Sequence, residues 1–436
     1  MKKFILSWSK IAIVVYLLST LVLSCKKNVD TTTPTPVSPV ITGVTTPLGV
    51  LTGPKNTVLT IKGSNFITDL SKIQVTVNSK NCVVLSATPD SIKATIPAYC
   101  GSGNIVLIMN GQSFNGPSFN YVYTYTLSSL TNGLIGYLDG PLATAKFEDF
   151  VGVTIDGNDN IYTSQYTNPR CRKISADSIV STMAGDGTIG HVNGNGTGAK
   201  LGQFDFCSSD AAGNIYVADE NGNGYIRKID VNKNVTDFYT FTTATQPDGI
   251  KVMPGGNVYF HAFDRIGKIT PGGILSWLAI SATGSGDVDG PVGTAQFRLY
   301  GGIEVSDDET KIYVTDFTYG STSGNKVKLL TNNTITTIAG KTGLNSGDGD
   351  ALNVGFKLLT CTLLDKTGGL YIADGFNNKI KYLKNGQVSS FIAGVGGLDG
   401  DISIAGVSYP HGMVWDKKGN MIISCATTKL KKLTID

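Results

Sequence analysis

The side chains best suited to recognition chemistry lie just before short predicted strands in the C-terminal two thirds of the sequence. They combine two carboxyl groups, a phenol, a hydroxyl and an imidazole, and they are Asp205, Asp248, Tyr300, Thr360 and His411. A concave site that places a few such polar groups beside aromatic rings suits a small ligand or a sugar. The alternative is that these are ordinary polar residues that hydrogen-bond to water and to the backbone.

The sequence offers little for a metal ion. It contains three histidines, His191, His261 and His411, and no Cys-x-x-Cys pair of the kind found in zinc sites. Asp205, Asp248 and His411 together would make only a weak metal site. We therefore predict no metal, no cofactor and no catalytic residue, and we keep a metal-dependent enzyme as the alternative function.

Composition narrows the class of protein. The formal net charge is +3, and charged residues make up 16% of the chain, against about 25% in a typical soluble protein. This charge is too small for the dense basic surface of a nucleic-acid-binding protein, so we predict no nucleic-acid partner. The 53 glycines have no collagen-like period, and they indicate many tight turns between many short strands.

Six hairpin signals recur between residues 124 and 436. In each, a turn rich in Asp, Gly and Asn precedes a strand, as in DGNDNIYTSQ, DAAGNIYVAD and DKTGGLYIAD. The first residues of these strands are Ile161, Ile215, Val258, Ile312, Leu370 and Met421. A repeat of about 40–60 residues with about four strands is typical of a β-propeller, and six repeats predict six blades.

Other phrases recur in a fixed order within each repeat. A third strand alternates basic and apolar residues (RKI, KVKLL, KIKYL), which predicts that it is half-exposed. A connector follows in several repeats, as in DGPLATAKF (139–147) and DGPVGTAQF (289–297). Residues 124–436 as a whole resemble the NHL repeat. We expect the connector to lead from one blade to the inner strand of the next, with Gly permitting turns and Ala and Phe packing between blades.

The sixth repeat has only three predicted strands. The stretch YTYTLSSLT, at residues 123–131, is rich in residues that favour strands and falls where an outer strand is missing. Because an unpaired edge is unfavourable, we predict that this stretch pairs beside residues 428–434 and closes the ring.

Residues 38–123 show short alternating strands such as VLTIKGSNF, IQVTVNS and SIKATIPA, separated by turns. This pattern is typical of a β-sandwich. The order of the segments resembles the IPT/TIG immunoglobulin-like domain, which implies a spacer or a protein-binding module. Cys82 and Cys100 lie in this part of the chain; they either form a disulfide or remain two buried thiols.

The N-terminus indicates export. Lys2 and Lys3 precede an apolar run from Ile11 to Leu23, which predicts a signal peptide over residues 1–24. VLSC, at residues 22–25, resembles a bacterial lipobox, which implies cleavage before Cys25 and attachment of lipid to it. Residues 25–37 are polar and rich in Pro and Thr, and we predict that they form a flexible tether.

These predictions describe an all-β protein, with an IPT/TIG sandwich followed by a six-bladed NHL-type β-propeller. The combination resembles envelope lipoproteins of the Bacteroidetes. That resemblance implies a monomer anchored to the outer membrane through its N-terminal lipid, which acts as a non-catalytic binding module for a glycan or an envelope protein. The alternative function is that of a metal-dependent propeller lyase or lactonase.

Overall fold

The structure is a computed structural model that describes residues 37–282, 286–316, 325–344, 346–394, 396–426 and 429–436. The predicted signal peptide, Cys25 and nearly all of the predicted tether therefore lie outside the described residues. Within the described ranges, no helix has the length and apolar character needed to cross a membrane.

The N-terminal part of the chain forms two β-sheets. The strands of the first sheet are, in spatial order, Val40–Thr45, Val58–Ser64, Ser91–Thr95 and Val83–Thr88. Those of the second are Thr52–Gly53, Gln112–Tyr121, Gly103–Met109, Ile73–Val77 and Lys80–Asn81, with a 3-10 helix at Leu70–Lys72. Alternate residues of the central strands, such as Leu59, Ile61, Ile105 and Leu107, are fully buried, as the sequence pattern predicts for a sandwich.

The rest of the chain forms six antiparallel sheets among the described residues, and we number these blades I to VI in chain order of their inner strands. From the inner strand outwards, blade I contains Val153–Ile155, Ile161–Gln165, Arg170–Ile174 and Ile179–Ala184; blade II contains Cys207–Ser209, Ile215–Asp219, Tyr225–Ile229 and Asn234–Thr240; and blade III contains Ile250–Val252, Val258–Ala262, Arg265–Ile269 and Leu275–Ile280.

Blades IV to VI follow the same plan. Blade IV contains Leu299–Val305, Ile312–Asp316, Lys326–Thr331 and Thr334–Ala339; blade V contains Leu359–Leu364, Leu370–Asp374, Lys379–Lys384 and Gln387–Ile392; and blade VI contains Pro410–Trp415, Met421–Cys425, Lys429–Ile435 and Tyr125–Ser129. Short 3-10 helices lie at Gly196–Gly198, Ala351–Asn353 and Gly375–Asn377. Each inner strand contacts those of the two neighbouring blades, and blade VI contacts blade I, so the six sheets form a closed propeller.

The ring closes as the sequence predicts. Tyr125–Ser129 runs antiparallel to the C-terminal strand, with Tyr125 opposite Ile435 and Leu127 opposite Leu433. The outer strand of blade VI therefore comes from the beginning of the propeller and its third strand from the end of the chain. Leu127 is completely buried in the core shared by several blades.

The structure also explains why the connector phrase recurs in the sequence. A two-residue strand in each of five connectors pairs with the outer strand of the blade that follows; these are Gly140–Pro141, Gly194–Asn195, Gly290–Pro291, Gly349–Asp350 and Gly400–Asp401. In DGPVGTAQF, Gly290 adopts a positive φ of 155°, and Ala295 and Phe297 are buried between residues of blades III and IV. The repeated phrase is therefore an element of blade packing.

The third strands are partly exposed at residues on either side of their centre, but the prediction is wrong for their central residue. In five blades this residue is a cation with at most 1% of its surface exposed; the residues are Arg172, Arg227, Lys328, Lys381 and Lys431. In four of them it pairs with the Asp of the connector's Asp-Gly, as in Arg172 with Asp139 (2.7 Å) and Lys381 with Asp348 (2.6 Å). Blade III has Gly267 at this position. A buried cation needs a paired anion, and the connector supplies it.

Candidate functional site

One cavity of about 470 Å³ lies at the end of the propeller where the inner strands begin. We call it the mouth cavity; its walls include Tyr166, Asp205, Glu220, Asp248, Phe263 and Tyr300, with Gln246 and Leu299 completing the lining. It therefore combines three carboxyl groups with three aromatic side chains.

Two repeating positions of the fold build the mouth cavity. Asp205, Asp248 and Tyr300 come from the segments that enter the inner strands of blades II, III and IV. The other three wall residues each follow directly after a second strand, in blades I, II and III; they are Tyr166, Glu220 and Phe263. Because neighbouring blades present these two positions at the same end of the ring, their side chains converge.

Asp248 is held firmly at the base of the cavity. Its backbone N–H donates to the carbonyl of His261 (2.9 Å), and its Oδ2 accepts a hydrogen bond from the N–H of Gly301 (3.0 Å). Gly301 has a positive φ of 86°, and a Cβ at that position would come within 2.3 Å of the carbonyl oxygen of Thr360. The other carboxylate oxygen of Asp248, Oδ1, is buried and has no hydrogen-bond partner in the described part of the chain.

The carboxyl groups of the mouth cavity are electrostatically unfavourable when ionised. Burial raises the pKa of Asp205 to about 7, and burial together with Asp205 and Asp219 raises the pKa of Glu220 to about 7. Burial and the charges of Asp205 and Glu220 raise the pKa of Asp248 well above its ordinary value. The same surroundings raise the pKa of the Tyr166 phenol to about 12. At neutral pH the cavity therefore retains protons that a solvent-exposed carboxyl would lose.

The aromatic wall is ordered by packing. The rings of Phe263 and Tyr300 meet edge to face, with their centroids 4.7 Å apart. The guanidinium of Arg298 lies over both rings, 5.1 Å and 5.8 Å from their centroids. These contacts fix the orientation of the two rings in the cavity wall.

The structure brings three of the five predicted site residues together, since Asp205, Asp248 and Tyr300 all line the mouth cavity. The hydroxyl of Thr360 donates to the carbonyl of Pro410 (2.9 Å), and Thr360 is buried outside the lining. The ring of His411 stacks on Phe206 at 5.3 Å, also outside the lining, and burial lowers its pKa to about 4. The other five lining residues were not predicted from the sequence; they are Tyr166, Glu220, Gln246, Phe263 and Leu299.

The remaining histidines have structural surroundings. His191 bonds Asp237 through Nε2 (2.9 Å) and stacks on Tyr225. His261 is fully buried, and its Nε2 contacts the carbonyl of Gly301 at 2.7 Å. No group of three or more His, Cys, Asp or Glu residues within the described ranges is arranged to hold a metal ion.

The aspartate that ends the second strand of blades II and V serves the backbone. Asp219 accepts hydrogen bonds from the N–H groups of Gly202 and Asn221 and pairs with Arg227. Asp374 accepts from the N–H of Lys357, and Asn378 accepts from the N–H of Tyr409.

Cys82 and Cys100 are both buried, and their pairing stays a prediction.

A second cavity, of about 490 Å³, lies at the opposite ends of the inner strands. It is lined by hydroxyl groups such as Ser208 and Ser209 and by Lys251, Glu304 and Trp415. Its buried carboxylate is neutralised, because Lys251 lies 3.0 Å from Glu304. The two cavities therefore differ in charge balance, and the narrow channel between them, about 60 Å³, is lined by inner strands of all six blades.

Comparison with known proteins identifies the N-terminal part first. A family model, the IPT/TIG domain, matches residues 39–125. Residues 39–125 are an IPT/TIG domain. Among curated protein sequences, none matches the chain.

Several solved structures share the fold over most of this chain. A protein of unknown function from Bacteroides thetaiotaomicron is 19% identical, with a TM-score of 0.66, over 91% of this chain and 98% of its own. Auxiliary nutrient binding proteins from B. thetaiotaomicron and B. ovatus are 17% and 16% identical, with TM-scores of 0.55 and 0.57. They cover 91% and 90% of this chain and 97% and 98% of their own. At these identities the similarity establishes the fold.

Proposed function

We propose that this protein is an exported envelope lipoprotein that binds a small polar ligand in the mouth cavity without chemical conversion. The observation that carries the proposal is the cavity itself, in whose lining the aromatic side chains of Tyr166 and Tyr300 lie together with the carboxyl groups of Asp205 and Asp248. Ligand sites are typically concave, largely preformed and furnished with a few convergent polar groups.

The size of the mouth cavity favours a small molecule over a protein partner. Its volume of about 470 Å³ falls within the range of about 300–1,000 Å³ that is usual for small-ligand sites. A stable protein partner would instead need about 800 Å² of surface on each side. A sugar unit of a glycan, with an apolar face for an aromatic ring and hydroxyl groups for carboxyl groups, is the ligand class that we propose.

The similar structures support a role in binding. Two of them are auxiliary nutrient binding proteins from Bacteroides, and they share the fold along nearly the whole chain. In this proposal, lipid on Cys25 and the polar residues that follow it tether the IPT/TIG domain and the propeller to the outer membrane. NHL-type repeats would then serve as the frame that carries the mouth cavity.

The experiment is a ligand screen with a matched pair of variants. Mature protein is applied to a glycan array, and hits are titrated by calorimetry with the wild type, Tyr300→Ala and Tyr137→Ala. Tyr300 lines the mouth cavity, whereas Tyr137 is an exposed tyrosine in the connector of blade I. We expect Tyr300→Ala to weaken binding at least about tenfold and Tyr137→Ala to leave it unchanged. No glycan hit, or equal binding by both variants, contradicts the proposal.

A further inference from the structure

We infer that the ligand of the mouth cavity carries an organic cation, an ammonium group, which the carboxyl groups of Asp205, Glu220 and Asp248 and the neighbouring aromatic rings hold. This inference rests on the proposed function, because it names the chemical class of the ligand that the same cavity takes. Four observations support it, and each concerns a different property of the site.

The first observation is an unsatisfied oxygen. Asp248 is about nine-tenths buried, and its Oδ2 is fixed by the N–H of Gly301. Asp248 lines the cavity, and its Oδ1 is buried with no hydrogen-bond donor in the described part of the chain. A buried carboxylate oxygen without a partner is costly, so native proteins retain one mainly where a ligand or another group completes it.

The second observation is a missing countercharge. No ion pair joins Asp205, Glu220 or Asp248 to a cationic side chain among the described residues. Arg227 is occupied by Asp219 and Asp237, and Arg298 lies over the aromatic rings. Segments 283–285 and 317–324, outside the described residues, contain no Lys or Arg in their sequence.

The third observation is that this protein pairs many of its other deeply buried charges, although Asp374 has only neutral hydrogen-bond donors. The fully buried Arg227 and Asp219 are 3.1 Å apart, Lys251 neutralises Glu304 in the second cavity, and connector aspartates neutralise the buried cations of the blades. In the mouth cavity, three such carboxyl groups lie together without a cationic partner. Their raised pKa values are the expected consequence, since protons take the place that a cation would fill.

The fourth observation is the aromatic wall, which distinguishes an organic cation from a metal ion. Rings of Phe263 and Tyr300 already accept the guanidinium of Arg298 on their faces, at 5.1 Å and 5.8 Å. Carboxylates combined with aromatic faces suit ammonium groups. A calcium ion would need six to eight oxygen ligands at about 2.3–2.6 Å, and the described residues offer no metal-ligand cluster.

The test uses a permanent cation and its neutral isostere. Choline and 3,3-dimethyl-1-butanol are titrated into the mature protein by calorimetry at pH 6, 7 and 8. Since choline does not titrate, any change with pH comes from the protein. A carboxyl group with a pKa of about 7 is about one-tenth ionised at pH 6. We therefore expect choline to bind at least about tenfold more tightly than the alcohol at pH 8, and about tenfold more weakly at pH 6 than at pH 8.

Variants locate the cation. Asp248→Asn retains an acceptor for the N–H of Gly301 but removes the charge, and we expect at least about tenfold weaker choline binding. If Asp248→Asn does not fold, Glu220→Gln replaces it in the same test, because Glu220 lies at a partly exposed position. Asp177→Asn, in an exposed turn of blade I, is the matched control and should bind choline like the wild type.

The outcomes separate this inference from the proposed function. Equal binding of choline and the alcohol, or choline binding that Asp248→Asn and Glu220→Gln leave unchanged, overturns the inference. Calcium that binds at micromolar concentration and displaces choline also overturns it, because the site would then be a metal site. Neutral glycans that bind in a Tyr300-dependent way, without any effect of choline, would overturn the ammonium inference and leave the proposed function standing. Failure of glycans and choline alike contradicts both.

Discussion

Leu127→Ala tests whether the N-terminal strand of the propeller holds the ring closed. Leu127 is the central residue of Tyr125–Ser129, and it pairs with Leu433 on one side and Gly400 on the other. Its side chain has no exposed surface and packs in the core shared by several blades. Truncating a buried leucine to alanine costs about 2–5 kcal/mol, and because this site is completely buried we expect about 3–5 kcal/mol.

Ile404→Ala is the matched control. Ile404 lies in the connector of the same blade, but 64% of its side chain is exposed. Because little apolar surface is removed from contact with the protein, we expect a loss of less than about 1 kcal/mol. The comparison separates the loss of closure from a general sensitivity of blade VI.

The assay is urea unfolding followed by tryptophan fluorescence. The sequence has three tryptophans, and Trp8 lies within the predicted signal peptide. Trp277 belongs to the outer strand of blade III, and Trp415 to the inner strand of blade VI. Variants that retain one tryptophan each, Trp277→Phe and Trp415→Phe, therefore report on different parts of the ring.

If the propeller unfolds as one cooperative unit, Leu127→Ala lowers the free energy of unfolding by the same amount at both tryptophans. A loss below about 1 kcal/mol would refute the argument that Leu127 is a core residue of the closure. A shift seen by Trp415 alone would refute the argument that the closure holds the whole ring.

Three further predictions follow from charge and chemistry. Because burial raises the pKa values of Asp205 and Glu220 to about 7 and that of Asp248 well above its ordinary value, these carboxyl groups should contribute a loss of stability as pH rises from about 4 through about 7. Asp248→Asn should therefore make the urea midpoint of the unliganded protein fall less, or rise more, over that range. Asp348→Ala leaves the buried Lys381 without its anion and should lower the free energy of unfolding by about 1–3 kcal/mol. This loss is smaller than that for a fully buried ion pair because Asp348 is half-exposed. The double variant Asp348→Ala/Lys381→Met should lose less stability than the two single variants combined. If Cys25 carries lipid, Cys25→Ser should move the protein from the detergent phase to the aqueous phase or leave it unprocessed; an unchanged mass and membrane fraction would contradict the lipoprotein proposal.

The repeat and the closure of the ring could be predicted because their signals are local. The same pattern of turn, strand and connector recurs along the sequence. Residues Tyr125–Ser129 favour a strand, and the sixth repeat lacks an outer strand of its own. An exposed strand edge is unfavourable in any propeller, so the partner of that segment followed from counting strands. The IPT/TIG domain was recognisable for the same reason, since its short alternating strands are local patterns.

The exposure of the third strands could not be predicted from alternation. Arg172 and Lys381 look like solvent-facing residues in the sequence, because half-buried strands usually place charges outwards. In the structure they face Asp139 and Asp348, which lie 33 residues away in the connectors. The Asp-Gly pairs were visible in the sequence, but their partner depends on the connector crossing the outer strand of the next blade.

The candidate site was predictable in position and only partly in composition. Asp205, Asp248 and Tyr300 were found because residues before inner strands lie at one mouth of a propeller. Glu220 was missed, although the position after each second strand is equally regular.

Sequence alone determined the number of blades, their strand order and the residues available at one mouth, because these depend on local patterns repeated along the chain. Only the tertiary structure decided which of those residues share a cavity. Thr360 and Asp205 are equivalent in the repeat, yet the hydroxyl of Thr360 is taken by the carbonyl of Pro410, whereas Asp205 lies beside Glu220 and Asp248. Which side chains share the cavity depends on packing between neighbouring blades, which brings together side chains that are distant in the sequence.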